Sequence, residues 1–384
     1  MNTGSRFAFY FSAFFFTNGL MLAFWPVWLK DRGLDAAAIG TLLFAAQWIK
    51  VGGTLAGGDF ADRYGIARRV VIVFSLIGVG VIALFGLAQT YWWLLALTLL
   101  WGAAWPGILP IVDGQAMQAS ARGEFDYGRT RLWGSVTFIA ATIGGGYLLQ
   151  ARGSDAIHTL ILVATILTAS MAFLLPLGGG RRDATTVRGG AMLALLRDRS
   201  FRLFLIAGGA AQVSHAVYYG FGTLDWRSKG LDDGSIGLLW AVGVVAEIGL
   251  FALGRNLAER IGIVRLLAIA GIAAILRWAV TPFIDDFGPL LAIQALHALT
   301  FGATHLAAMM FIQRRVPASA TSSAQALYAA VPIGLGMGLA MMGAGLIYER
   351  VGGYAYLAMV LLALVSLLAT ALLARNWREE AIEL

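Results

Sequence analysis

The sequence predicts an all-α membrane protein with twelve transmembrane helices in two six-helix halves. Three observations lead there: a composition poor in charge, a succession of apolar runs long enough to span a bilayer, and an internal repeat about half a chain apart. Of 384 residues, 59% are hydrophobic and only 13% charged, with a mean hydropathy of +0.77. A water-facing domain carries roughly 25% charged residues, so most of this chain's outer surface is expected to face lipid.

A spanning helix needs about 20 mainly apolar residues. Such runs fall at approximately 7–29, 36–58, 69–89, 92–117, 128–150, 156–177, 201–224, 234–256, 262–284, 287–311, 320–347 and 353–374. Connections are short except at 178–200, where Gly178-Gly179-Gly180 precede Arg181, Arg182, Arg188, Arg197 and Arg199. The expected organisation is an N-terminal half over 1–177, a cytoplasmic linker over 178–200 and a C-terminal half over 201–384. Arg6, then about twenty apolar residues without a small-x-small cleavage pattern, reads as a retained first helix. Trp25, Trp28, Trp92 and Trp93 read as belts at the headgroups.

The net charge of +7 does not point to nucleic acid, because Lys and Arg cluster between apolar runs rather than along one helix face. With the N-terminus inside, about 20 of the 28 basic residues fall in cytoplasmic loops and ends, and about 6 in external loops. That distribution predicts a multi-pass protein of the cell inner membrane with both termini cytoplasmic. The absence of cysteine excludes disulfides, thiolate metal sites and cysteine nucleophiles.

The repeat lies after the second and eighth runs. Phe60-Ala61-Asp62-Arg63-Tyr64-Gly65-Ile66-Ala67-Arg68 matches Leu257-Ala258-Glu259-Arg260-Ile261-Gly262-Ile263-Val264-Arg265 at an offset of about 197 residues. Parallel repeats of six helices are one transporter architecture. Gly58-x-x-x-Asp62-Arg63-x-Gly65, followed by Arg68 and Arg69, resembles the loop signature of the major facilitator superfamily, with the basic pair slightly late. That resemblance covers the whole chain. It implies that Gly58, Asp62, Arg63, Gly65 and Arg68, and Glu259 and Arg260 in the second copy, belong to gating loops. Phe125-Asp126-Tyr127-Gly128-Arg129-Thr130-Arg131-Leu132-Trp133-Gly134-Ser135 resembles the start of the fifth helix in lactose-permease-like proton symporters. The stretches His215–Phe221, Gly243–Glu247 and His305–Met309 resemble the 3-phenylpropionate permease branch of that group.

An ionisable group at the centre of a spanning helix costs about 2.5–3.5 kcal/mol on insertion scales, so each one needs a reason. Those here are Lys50, Asp113, Arg131, His215, Glu247, Arg277, His297 and His305. Glu247 shares a helix face with Gly243 and Trp240. Burial disfavours a charged carboxylate and a nearby cation favours it. Glu247 therefore reads either as a proton-coupling carboxylate or as the fixed partner of Arg277, which cannot deprotonate. His297, Phe301 and His305 form a stripe at spacings of four, suited to proton coupling or to helix-to-helix hydrogen bonds. By resemblance, Arg277 and His297 match residues near the proton site of lactose permease, while the carboxylate expected three residues after the histidine is Thr300 here. This implies that coupling moves to Glu247.

Asp113 and Arg131 are expected to be either a substrate-binding pair, as the resemblance implies, or a structural salt bridge. Pro106 and Pro110 permit a bend that would carry Asp113 toward a cavity. Lys50 reads as an attractor for an anionic substrate or as a partner of Asp113. His215, Tyr218 and Tyr219, with Trp240 and Phe301, form a candidate aromatic lining or ordinary membrane packing.

The expected function is a proton-coupled symporter of a small organic solute working by alternating access, and the resemblance favours an aromatic carboxylate such as 3-phenylpropionate. The alternatives are a sugar or nucleoside symporter, a drug-efflux antiporter, or a non-transporting membrane sensor. No phosphate loop, His-Glu-x-x-His or Gly-x-Ser-x-Gly motif points to an enzyme, and no metal or other cofactor is expected. The expected partners are the solute, protons and the bilayer, with the chain a monomer.

Overall fold

The computed structural model describes residues 1–176, 189–377, 380 and 382, without the side chains of residues 62, 253, 255 and 256. Gly178–Gly180, Arg181, Arg182 and Arg188 of the predicted linker lie outside the described residues. The described chain forms two compact units, Met1–Ala184 with Trp226–Ala241, and Thr185–Asp225 with Val242–Leu384.

Unit 1 is built from α1 (Thr3–Asp31), α2 (Ala36–Tyr64), α3 (Ala67–Phe85), α4 (Tyr91–Ala121), α5 (Tyr127–Arg152) and α6 (Ser154–Ala172). Helix α1 packs on α5 and α6, and α4 on α2 and α3. Asp126 starts α5 as predicted, its carboxylate accepting from the Arg129 N–H at 2.7 Å. That bond satisfies one of the donors a helix start leaves open. Pro106 and Pro110 both lie inside an uninterrupted α4. Helices α2 and α4 approach so closely that a Cβ on Gly53 would fall on the Ala103 carbonyl, and one on Gly102 would press the Ala46 carbonyl.

Trp25 and Trp28 are not belt residues. They are 7% and 0% exposed, stack at 4.6 Å and pack against Phe85, with Trp28 also on His158. The spacing of three turns both rings toward α3 and α6, where aromatic burial is available. Trp92 and Trp93 are exposed.

In unit 2, part of the predicted linker is a short helix, α7 (Gly189–Arg197), leading into α8 (Arg199–Val213). The predicted seventh run is not one helix, because α8 stops and α9 (Ala216–Ser228) begins after Ser214 and His215. Both side chains bond the carbonyls of the preceding turn and compete with the helix: Ser214 Oγ donates to Ala211 O at 2.7 Å, and His215 Nδ1 lies 3.1 Å from both Ala211 O and Gln212 O. Helix α10 (Asp233–Ile261) follows; its first residues, to Ala241, belong to unit 1, where the Ser235 hydroxyl and amide hold the Asp232 carboxyl below the usual carboxylate range. After it come α11 (Ile263–Val280), α12 (Phe287–Ala295) and α13 (Thr304–Arg315), the last two joined by a π-helical turn at Ala298–Ala303. Then α14 (Thr321–Tyr328) passes through a second π-helical stretch, Ala329–Gly336, into α15 (Met337–Val351), and α16 (Tyr356–Arg375) ends the fold.

Ten stretches among the described residues are long and apolar enough to cross a membrane. One of them, Ala318–Arg375, has 58 residues and turns at Gly352, whose φ is +57°, so it holds two passes. The broken pair α8–α9 supplies the remaining pass, each half being too short alone. This accounts for the twelve predicted.

The repeated motif lies mostly on helix rather than in loops. Helices α2 and α10 run on to Tyr64 and Ile261, and each is stopped by a glycine in the left-handed region, Gly65 (φ +64°) and Gly262 (φ +82°). In the first copy the Ile66 N–H reaches back to Ala61 O, and in the second the Gly262 N–H reaches Ala258 O. Both are helix-ending bonds that use up open carbonyls.

Candidate functional site

Two polar clusters among the described residues hold most of the predicted site residues, one in each unit. In unit 2 the centre is Arg277, fully buried at the end of α11. Its guanidinium packs against two neighbouring rings, Tyr218 at 4.6 Å and Trp278 at 4.5 Å. It donates to Gln294 Oε1 at 2.5 Å, to Thr300 Oγ1 at 3.0 Å and to His297 Nδ1 at 3.2 Å. A guanidinium can donate several hydrogen bonds and pack against aromatic rings at once. Arg277 is therefore not the fixed partner of Glu247. The Glu247 carboxylate lies 3.8 Å from His297 Nε2, on the far side of the imidazole from Arg277.

His215 joins the cluster because the break between α8 and α9 turns its ring inward. Its Nε2 lies 3.0 Å from Thr300 Oγ1, and its ring packs against those of Tyr219, Trp278 and His297. Ser214, at the same break, accepts from Trp278 Nε1 at 3.0 Å and so fixes the wall behind Arg277. His297, Phe301 and His305 form the predicted stripe, with ring centroids 5.2 Å and 6.2 Å apart. His305 stands at the far end, against Phe251. Trp240 lies in unit 1, edge-on to Trp226 at 5.8 Å.

Sequence reasoning missed Gln294, Thr300 and Asp225. Gln294 sits three residues before His297, a spacing that puts it on the same face. Thr300, which stands where the resemblance implies an acid, bonds both Arg277 and His215 through its hydroxyl. Asp225, on α9, is 1% exposed and is a buried carboxylate of unit 2 besides Glu247.

The unit 1 cluster joins α4 to α5. Tyr127 donates its hydroxyl to Asp113 Oδ1 at 2.9 Å, and Arg131 Nε lies 3.7 Å from the same oxygen. The Arg131 guanidinium covers the Phe15 ring at 3.8 Å. The side chains of Arg131 and Asp113 are 26% and 25% exposed, so the pair is reachable. Lys50 is not the partner of Asp113: its ammonium reaches Gln47 one turn earlier on α2, at 3.4 Å. Of the motif residues, Arg68 donates to the Phe173 carbonyl and Arg63 lies over the Tyr64 ring, while the Asp62 side chain is outside the described residues. Cavities of about 320 Å³ near Arg32 and Tyr91, and of about 570 Å³ near Arg265 and Trp377, lie at helix ends and are lined by neither cluster.

The fold and these clusters can be set beside known proteins. A model of the family described as "MFS_1 like family" matches residues 6–358. This chain belongs to that family. Its members are secondary transporters of the major facilitator superfamily, and the chain is a multi-pass membrane protein of that kind. Within the MFS_1 like family it is 32% identical over 362 residues to the "Probable 3-phenylpropionic acid transporter" of Escherichia coli (strain K12), covering 91% of this chain and 93% of the relative. It is 28% identical over 384 residues to the "Maltose permease" of Geobacillus stearothermophilus, covering 96% and 94%. In fold it matches the crystal structure of the nucleoside transporter NupG with a TM-score of 0.83 at 17% identity, over 98% of this chain and all of that one.

Proposed function

We propose that the protein is a proton-coupled symporter of a small organic anion, with an aromatic carboxylate such as 3-phenylpropionate as substrate. The observation that carries this reading is the setting of Arg277. It is a fully buried cation whose hydrogen bonds go to neutral acceptors, and two aromatic rings pack beside it. A buried charge needs compensation, and an arriving carboxylate supplies it. The name of the Escherichia coli relative supports the same substrate class. Glu247 is the coupling carboxylate in this reading, with Arg277 and His297 beside it and His305 one step further along the stripe. The protein works in the cell inner membrane with both termini cytoplasmic.

A sugar is the second reading, favoured by the likeness to a maltose permease. Uptake into proteoliposomes separates the two. A monoanion entering with one proton moves no net charge, so a pH gradient drives accumulation of 3-phenylpropionate and an imposed potential alone does not. Accumulation of maltose or a nucleoside driven by potential would replace the carboxylate reading. Glu247→Gln mimics the protonated acid. It is expected to lose pH-driven accumulation by at least about ten-fold while keeping substrate exchange, since releasing the proton is what it can no longer do. Unchanged accumulation in this variant would move the proton site to a histidine.

A further inference from the structure

The hydrogen bonds around Arg277 have a direction, because a guanidinium has donors and no acceptor. His297 Nδ1, 3.2 Å from Arg277 Nη1, must accept. The imidazole proton of His297 is then on Nε2, the nitrogen that faces Glu247 at 3.8 Å. The same Nη1 donates to Thr300 Oγ1 at 3.0 Å, so that oxygen's single proton must point elsewhere. Two acceptors are within its reach: His215 Nε2 at 3.0 Å and the His297 carbonyl at 3.5 Å. On the other side of its ring, His215 Nδ1 sits 3.1 Å from two carbonyl oxygens, those of Ala211 and Gln212. A bare ring nitrogen would be repelled there, so Nδ1 carries a proton and Nε2 takes the shorter bond from Thr300. Protonating Nε2 as well would place a second cation one hydroxyl away from Arg277.

We infer that Thr300 is a positioning residue of the proton site. Its one hydroxyl proton, turned by Arg277 toward His215, keeps that ring neutral, and Arg277 itself keeps His297 neutral. Glu247 is then the one group of the cluster that takes up a proton without breaking a bond to Arg277 or Thr300. Among the described residues, the Tyr218 and Tyr219 phenols from α9 and the Trp278 indole from α11 also pack on these rings, and Gln294 from α12 meets Arg277; none of them binds a proton near neutral pH. The cluster therefore binds one proton, not two or three. A hydroxyl at position 300 passes on the polarity of Arg277, where a carboxylate would neutralise it.

This inference rests on Glu247 as the coupling acid, yet its test needs no transport. The chain has four histidines, His158, His215, His297 and His305, so each ring can be assigned with single variants. Nitrogen NMR of ¹⁵N-histidine-labelled protein in lipid nanodiscs, titrated with acid and base alone from about pH 5.5 to 8, the range in which a free imidazole changes charge, reads the tautomers directly. The expected result is a neutral His215 protonated on Nδ1 and a neutral His297 protonated on Nε2 throughout. In Thr300→Val the His215 Nε2 resonance shifts, and Thr300→Ser restores it. An imidazolium at either position in the wild type, the opposite tautomer, or a His215 resonance unmoved in Thr300→Val would each overturn the inference. The wild-type spectrum decides even if the valine variant does not fold. Should the tautomers be as stated while Glu247→Gln still couples to protons, the error lies in the functional reading and not in the role of Thr300.

Discussion

At the scale of single residues, two arginines of the same chain do different work because of their surroundings. Arg277 is enclosed, and its charge is spread over neutral acceptors and two rings. Arg131 is a quarter exposed, shares the Asp113 carboxylate with a tyrosine, and lies on Phe15. An exposed ion pair contributes only about 0–1 kcal/mol to stability, so the unit 1 pair has little structural reason to exist. If the pair contacts substrate, its loss shows in binding and not in folding. Asp113→Asn and Arg131→Gln should each weaken substrate binding by about ten-fold or more, the size of losing a charged hydrogen bond of about 1.5–3 kcal/mol, while the protein inserts and melts normally. Near-normal affinity in both variants, measured by equilibrium binding, would mark the pair as structural.

At the scale of elements, the breaks matter more than the helices. The gap at Ser214 and His215 is what lets a histidine of the seventh pass enter the polar cluster, and the π-helical turn after His297 carries Thr300, the residue bonded to both Arg277 and His215. Such interruptions survive at membrane depth only where side chains satisfy the freed backbone groups, and here His215 does so for two carbonyls. The regular helices depend instead on small residues. Because Gly53 of α2 touches the Ala103 backbone of α4, Gly53→Ala cannot be absorbed by turning a side chain. It should force the pair apart and cost about 1–3 kcal/mol, as overpacking does, seen as a lowered melting temperature in detergent. Gly52→Ala, next to it with open space around the added methyl, should leave the melting temperature unchanged. An equal loss in both would mean helix propensity and not contact is responsible.

At the scale of the whole molecule, the chain's lack of cysteine makes its topology directly testable. Leu193 of α7 is 52% exposed, within the predicted cytoplasmic linker. A single cysteine placed there should react with an impermeant maleimide only in inside-out vesicles. Labelling in intact cells would invert the orientation derived from Lys and Arg placement, and with it the assignment of both termini.

Class, number of passes and membrane character are legible in the chain alone, because these follow from the length and spacing of apolar runs and need no knowledge of which helix meets which. It also marked the buried His215, Arg277 and His297, though not Asp225 or Arg315, since an ionisable group in the middle of an apolar run stands out whatever its partner. The partners themselves were decided by tertiary structure. Lys50 lies beside Gln47 and not Asp113, Glu247 faces His297 and not Arg277, and Trp25 and Trp28 are core and not belt. Periodicity gives the face of a helix, but which neighbour that face meets depends on helices distant in the chain. Neutral residues such as Gln294 and Thr300 were illegible for a related reason. An amide or hydroxyl costs little on an insertion scale, and its importance appears only when a guanidinium from another helix is brought within about 3 Å of it.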